Sequence, residues 1–170
     1  MSVLTIVLRL VHIVGGVLWV GFAVFGAAFL LPAIAETGPE GGKVMMALQR
    51  RHLLTVIPIL ALLTVISGIW LYGRAASMAP GFGGSRMGIT LGVGGVCALV
   101  ALFVGMLVIT PAMNGAVATA QQAAQAATNE ERQALMILSA QRRARGARGS
   151  KVATVLLIVA ACAMAVGRYV

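Results

Sequence analysis

Apolar positions along this chain do not alternate with polar ones; they run together in four blocks, approximately 3–35, 53–71, 89–113 and 152–166, separated by polar connections. A helix needs roughly 20 residues to cross a hydrocarbon core of about 30 Å, and each block is read as one crossing. Inside a bilayer every crossing must satisfy its own backbone polar groups, so each is predicted to be helical. Four crossings joined by short or helical connections predict an all-α, transmembrane four-helix up-and-down bundle forming a single integral membrane domain over 1–170. The first block is far longer than the roughly 7 to 15 apolar residues of a cleaved secretory signal and lacks a small-residue cleavage site, so it is read as a permanent helix.

The first and third blocks echo each other. "VGGVLWVGFAVFGAAFLLPA" from Val14 and "VGGVCALVALFVGMLVITPA" from Val93 share VGGV, a glycine at one offset (Gly26, Gly105) and Pro-Ala at another (Pro32, Pro111), while the second and fourth blocks end at Gly73-Arg74 and Gly167-Arg168. This pattern reads as a duplicated helical hairpin with its halves related by an approximate two-fold along the membrane normal. It predicts Gly15 and Gly16 against Gly94 and Gly95, because small residues let helices approach closely. Gly95, Ala98, Ala101 and Gly105 fall on one side of the third helix and are expected to form a packing seam. Pro32, Pro58 and Pro111 lie toward the same end of the bundle, where they should bend their helices and open a cleft.

The connection at about 114–150 is polar yet helix-prone. "NGAVATAQQAAQAAT" should extend the third helix, and "TNEE" at 128–131 has the spacing of a capping box that starts a further helix through Leu135 and Leu138 to Arg143. "RGARGS" is expected to interrupt that helix, and "MAPGFGGSR" from Met78 to Arg86 to form an irregular loop.

Composition agrees with the pattern: 60% of the residues are hydrophobic and 10% charged, a balance that excludes a soluble domain. The net charge of +9 is unevenly placed. Lys43, Arg50 and Arg51 sit in the first connection, and Arg132, Arg142, Arg143, Arg145, Arg148 and Lys151 in the third; Arg9, Arg74, Arg86 and Arg168 are all that face the other way. The positive-inside rule then puts the basic connections in the cytoplasm and both termini outside it, in a bacterial inner membrane. Without interleaved aromatic residues, these bases point to anionic lipid and not to nucleic acid. The expected partners are the bilayer and other membrane subunits.

Chemistry-bearing residues are scarce. The chain has no Asp, and its four Glu all lie in the connections, which excludes a carboxylate relay within the membrane. There is no phosphate-binding glycine loop, nucleophile elbow or Cys-x-x-Cys pair, so no catalytic constellation is recognisable. His12 and His52 start antiparallel helices and are separated by something like 20 Å in depth, too far to share one haem iron. His52 reads as a solvated interfacial residue. His12 lies inside the apolar run, one turn from Arg9, at a depth shared by Cys97 and Cys162. Turned inward, the three would make a soft N/S site suited to copper(I); alternatively His12 alone holds a b-type haem, with Trp19 packed over it. In the alternative reading the cysteines are small hydrophobes, His12 hydrogen-bonds a neighbour and Trp19 fills a helix seam. Trp70, Tyr72 and Tyr169 fit an outer aromatic belt.

Three stretches, "LRLVHIVGGVLWVGF", "GGKVMMALQRR" and "AMAVGRYV", resemble the bacterial membrane proteins grouped around copper-resistance protein D and the HemJ-type protoporphyrinogen oxidases, including small four-helix relatives without assigned function. A first-helix histidine followed by a Trp-x-Gly step recurs in that group and matches His12, Trp19 and Gly21. The resemblance implies His12 as a haem or copper ligand. HemJ-type enzymes also use a membrane lysine, whereas Lys43 and Lys151 both lie in connections. The expectation is a small inner-membrane protein that binds haem or copper and serves electron transfer or metal handling, an oxidoreductase if an enzyme at all. Its alternative is a non-catalytic accessory subunit that packs its Gly/Ala faces against a larger complex without a cofactor.

Overall fold

The computed structural model describes residues 2–170, apart from the side chain of Pro39. Five helices follow one another: α1 (Val3–Glu36), α2 (Gly41–Arg50), α3 (Leu53–Met78), α4 (Arg86–Gln125) and α5 (Asn129–Val166), the last closed by a 3₁₀ turn at Gly167–Tyr169. No strand occurs among the described residues. All but α2 are long and apolar enough to cross a membrane, and at most 22% of the apolar window of any of them is buried within the chain. Leu10, Val17, Ile66, Val96, Leu107 and Val155 lie on the outside. So much exposed apolar surface is stable only under lipid, which makes this a multi-pass membrane protein.

Around the bundle α1 packs on α3, α3 on α4, α4 on α5 and α5 back on α1, leaving α1 and α4 on a diagonal without extended contact. The expected meeting of Gly15 and Gly16 with Gly94 and Gly95 therefore does not occur. Gly15 faces Thr64 on α3, where a Cβ would come 2.5 Å from the threonine Oγ1, and Gly94 faces Ala160 and Ala163 on α5. The closest seams are those between hairpin partners, and the glycines serve those. Of the small-residue side of α4, Ala98 and Ala101 are buried, but a Cβ on Gly95 or Gly105 would meet nothing within 4 Å. Leu157, 2% exposed, lies at the centre with Ala61, Ala101 and Ala153 around it, and Trp19 is the one large aromatic in this cluster.

Two π turns interrupt the helices at matching places in the repeat, Gly26–Leu30 in α1 and Gly105–Ile109 in α4. The N–H of Leu31 reaches the Gly26 carbonyl, and that of Thr110 the Gly105 carbonyl. Pro32 and Pro111 follow directly. A proline has no N–H to give and its ring crowds the preceding turn, so widening that turn lets the helix continue past it. The shared device supports reading α1–α3 and α4–α5 as two versions of one hairpin. Pro58, inside α3, has no π turn beside it.

Beyond the apolar blocks α4 and α5 continue as an antiparallel arm. Thr128 accepts the Glu131 N–H at 3.2 Å, the expected cap. From there α5 runs 38 residues without a break, so "RGARGS" does not interrupt it. Gly146 lies against Met113, and Gly149 against Val108 and Ile109. Each glycine costs about 1 kcal/mol of helix propensity, which the close packing of α5 on α4 offsets. Arg142 Nη1 donates to the Gly115 carbonyl (2.9 Å) and to Thr119 Oγ1 (2.8 Å), and Ser139 Oγ donates to the Ala116 carbonyl (2.9 Å), tying the arm together.

The first connection folds into α2, which lies across the basic end of the bundle. Its Met45 is buried with Ile34 and Val117, and the Lys43–Glu40 ion pair (2.7 Å) is on its exposed side. At the opposite end α3 runs past residue 71 to Met78, and the loop after it is a tight 3₁₀ turn, Phe82–Gly84. Ser85 Oγ accepts the Gly88 N–H (3.0 Å), and Tyr72 donates to the Gly88 carbonyl (3.1 Å) with its ring edge-on to Phe82.

Candidate functional site

Two places in the bundle carry more than packing. The first is the seat of His12. Its half-buried ring turns toward α3, with Nδ1 2.8 Å from the Thr64 carbonyl. A carbonyl has no proton to give, so Nδ1 is the donor. The same carbonyl accepts Ser67 Oγ at 3.0 Å, and the hydroxyls of Thr64 and Ser67 also bond back to the Leu60 and Leu63 carbonyls. The ring rests on Gly68, where a Cβ would come 2.7 Å from its Cε1. Among the described residues nothing hydrogen-bonds Nε2, yet no buried side-chain nitrogen or oxygen lacks a partner. Nε2 therefore reaches the surface of the bundle.

The other hairpin shows what this seat needs. Leu91 precedes Gly94 by the spacing that separates His12 from Gly15, and it packs on Gly167 as His12 packs on Gly68, so Gly167 corresponds to Gly68 and not, as the matching Gly-Arg steps suggest, to Gly73. Ala163 lies against Gly94 as Thr64 lies against Gly15. Val166 follows Ala163 as Ser67 follows Thr64. One hairpin thus fills the position with a polar trio and the other with Leu, Ala and Val.

The remaining candidate residues do not join His12. Arg9 is exposed, and Trp19 is buried in the central cluster two turns farther along α1. Cys97 packs half-buried beside that cluster on α4, diagonal from α1, and Cys162 is exposed on α5. No three His, Cys, Asp or Glu side chains gather in a metal-holding group among the described residues. The three-ligand copper arrangement is not assembled, because His12 turns to its hairpin partner and not to the bundle centre. Nor do the residues around His12 fit a haem inside the bundle: the ring packs on Gly68 of α3, and the interior cavity does not include it in its lining. His52 is exposed and lies more than three helical turns along α3 from Thr64, about 18 Å at 1.5 Å per residue.

The second place is a partly open cavity of about 130 Å³ in the basic half of the bundle, lined by α1, α3, α4 and α5 with α2 at its outer end. Trp19, Ala61, Ala101 and Leu157 close its inner end; Met45, Leu48 and Met113 line the outer end. Both π turns border it, through Gly26 and Leu30 and through Gly105, Met106 and Ile109. Both turns begin with a glycine that has space beside it: a Cβ on Gly26 would meet only Phe22, at 3.9 Å, and one on Gly105 nothing within 4 Å. Polar groups in the lining come from Thr110, Ser150 and the indole N–H of Trp19, and no charged residue takes part among the described residues. The sequence signal for this site is the cleft expected near the three prolines, of which Pro58 is in the lining. The part of α2 at the outer end was not legible, since α2 reads as a connection.

Family models, curated proteins and solved structures were compared with the chain, and none matches.

Proposed function

We propose that this protein is a membrane-embedded binding protein that takes part of a lipid-soluble molecule into the cavity between Trp19 and Met113. The observation that carries this reading is a lining between the helices that is apolar apart from two hydroxyls and the Trp19 indole N–H. A volume of about 130 Å³ approaches the roughly 150 Å³ of an apolar protein cavity that stays dry and accepts benzene. It is well below the roughly 300 Å³ at which sites for whole drug-sized molecules begin. One ring or a short run of methylenes is enclosed while the rest of the ligand stays in the bilayer. With the basic end toward the cytoplasm of a bacterial inner membrane, as the positive-inside rule favours, the cavity belongs to the cytoplasmic leaflet.

Trp19 reports on it directly once Trp70, the second of the chain's two tryptophans, is replaced by Phe. A bromine-labelled long-chain amphiphile added in detergent should quench Trp19 saturably. Gly105→Phe, which projects a ring from a position where a Cβ has free space, should remove that quenching while leaving the fold intact. Quenching that does not saturate, or that Gly105→Phe leaves unchanged, overturns the reading.

A second reading is favoured by one observation, the free Nε2 of His12 at the bundle surface. Metal-ligating histidines commonly donate the other ring N–H to a carbonyl, as His12 does to Thr64. In this reading the chain is an accessory subunit that contributes a single ligand to haem or copper held mainly by a partner. A haem absorption band or a copper content that co-purifies with the native complex and is lost in His12→Leu supports it; a spectrum and metal content indifferent to that change end it.

A further inference from the structure

Most hydroxyls along the spanning helices bond back to their own helix. Thr64, Ser67, Thr90, Thr119 and Thr154 each donate to the carbonyl four residues back, at 2.6 to 2.8 Å. Back-bonding of this kind is how a membrane helix satisfies a hydroxyl without water. Thr110 and Ser150 make no hydrogen bond among the described residues, and both line the cavity. Thr55, exposed at the first turn of α3, is the other threonine of the spans without one. Thr110 and Ser150 are only partly buried, and since no buried side-chain oxygen is left unpaired among the described residues, both hydroxyls keep accessible surface on residues that border the cavity. For Thr110 the cause lies in the backbone, because it is the first residue after a π turn and its relation to the preceding carbonyls is shifted.

The two hydroxyls stand close in depth. Ile109 of α4 touches Gly149 of α5, and because the two helices run antiparallel, Thr110 and Ser150 step away from that contact in opposite directions, which leaves them about 3 Å apart in depth at 1.5 Å per residue. Toward Trp19 the lining is apolar apart from the indole N–H of Trp19 itself. A charged headgroup placed here would find no Lys, Arg, His, Asp or Glu in the lining to compensate it. A neutral oxygen would find two hydroxyls able to donate to it or accept from it.

We infer that the cavity takes the head end of an uncharged amphiphile, with an alcohol or carbonyl oxygen held between Thr110 and Ser150, the adjoining ring or methylenes lying toward Trp19, and the remaining tail in lipid. This rests on the cavity being a binding site and adds the chemical class of what it binds. The test uses the full chain carrying Trp70→Phe, titrated with a bromine-labelled long-chain alcohol and with the alkane and carboxylate of the same length. The alcohol should quench Trp19 at concentrations about tenfold lower than either, the worth of one to two hydrogen bonds. Thr110→Val with Ser150→Ala, which removes the hydroxyls at nearly constant volume, should weaken the alcohol about tenfold and leave the alkane where it was. Equal binding of alcohol and alkane, tighter binding of the carboxylate, or indifference of the double variant overturns the headgroup assignment while the binding role stands. If no probe quenches saturably, the binding role itself falls.

Discussion

At the scale of single residues, the contact between His12 and Gly68 makes the sharpest prediction. A Cβ on Gly68 collides with the imidazole, so Gly68→Ala should destabilise the protein by about 1–3 kcal/mol. In a His12→Ala background most of that loss should vanish, and thermal unfolding of the four proteins in detergent gives the coupling. His12→Leu should cost less than about 1 kcal/mol, because Leu91 already fills the matching seat on Gly167. His52 offers a second case. It is the one described non-glycine residue at positive φ, 58°, at the corner between α2 and α3. His52→Gly should raise stability by about 1 kcal/mol, the strain of a left-handed conformation for a residue with a Cβ. Depth along a membrane helix is legible in a sequence, since each residue rises about 1.5 Å. Rotation about the axis is much less so, because a span that is apolar all round has no polar stripe to mark its outer face. That is why His12, Cys97 and Cys162 could be given an approximate depth but not aimed, and even the depth is coarse: with Leu91 in the seat that matches His12, Cys97 lies six residues, about 9 Å, farther along its helix.

At the scale of elements, composition misled wherever tertiary packing overrode it. "RGARGS" has the local character of a helix break, yet its glycines are contact points of α5 with Met113, Val108 and Ile109. Gly149→Leu should therefore lower the unfolding temperature, by the few degrees that correspond to about 1–3 kcal/mol of overpacking. The π turns were half visible: the recurrence of glycine and proline at matching offsets was plain, and the wider turn between them was not. Helix α2 escaped because it is short, polar on one side and anchored through few residues. Its first residue is a hinge, since a Cβ on Gly41 would run into the Ile34 carbonyl. Gly41→Ala should detach α2 from the bundle, seen as faster amide hydrogen exchange across 41–50 with the spanning helices unchanged.

At the scale of the whole molecule, the fold class was legible because four unbroken apolar blocks admit few arrangements in lipid. The order of helices around the bundle was not, because the repeat shows which segments correspond without showing which ones touch. Hairpin partners turn out to be neighbours, and the first and third crossings are diagonal. Since each hairpin is closed along its own seam, the chain cut at the turn between α3 and α4 should reassemble when its two pieces are co-expressed, which co-purification through a tag on one piece would show.

A molecule built from two copies of one plan contains its own reference. Replacing His12, Thr64 and Ser67 together by Leu, Ala and Val transplants the plain version of the seam onto the first copy. Whatever such a hybrid retains is owed to the shared architecture, and whatever it loses was the particular business of the half that carries the imidazole.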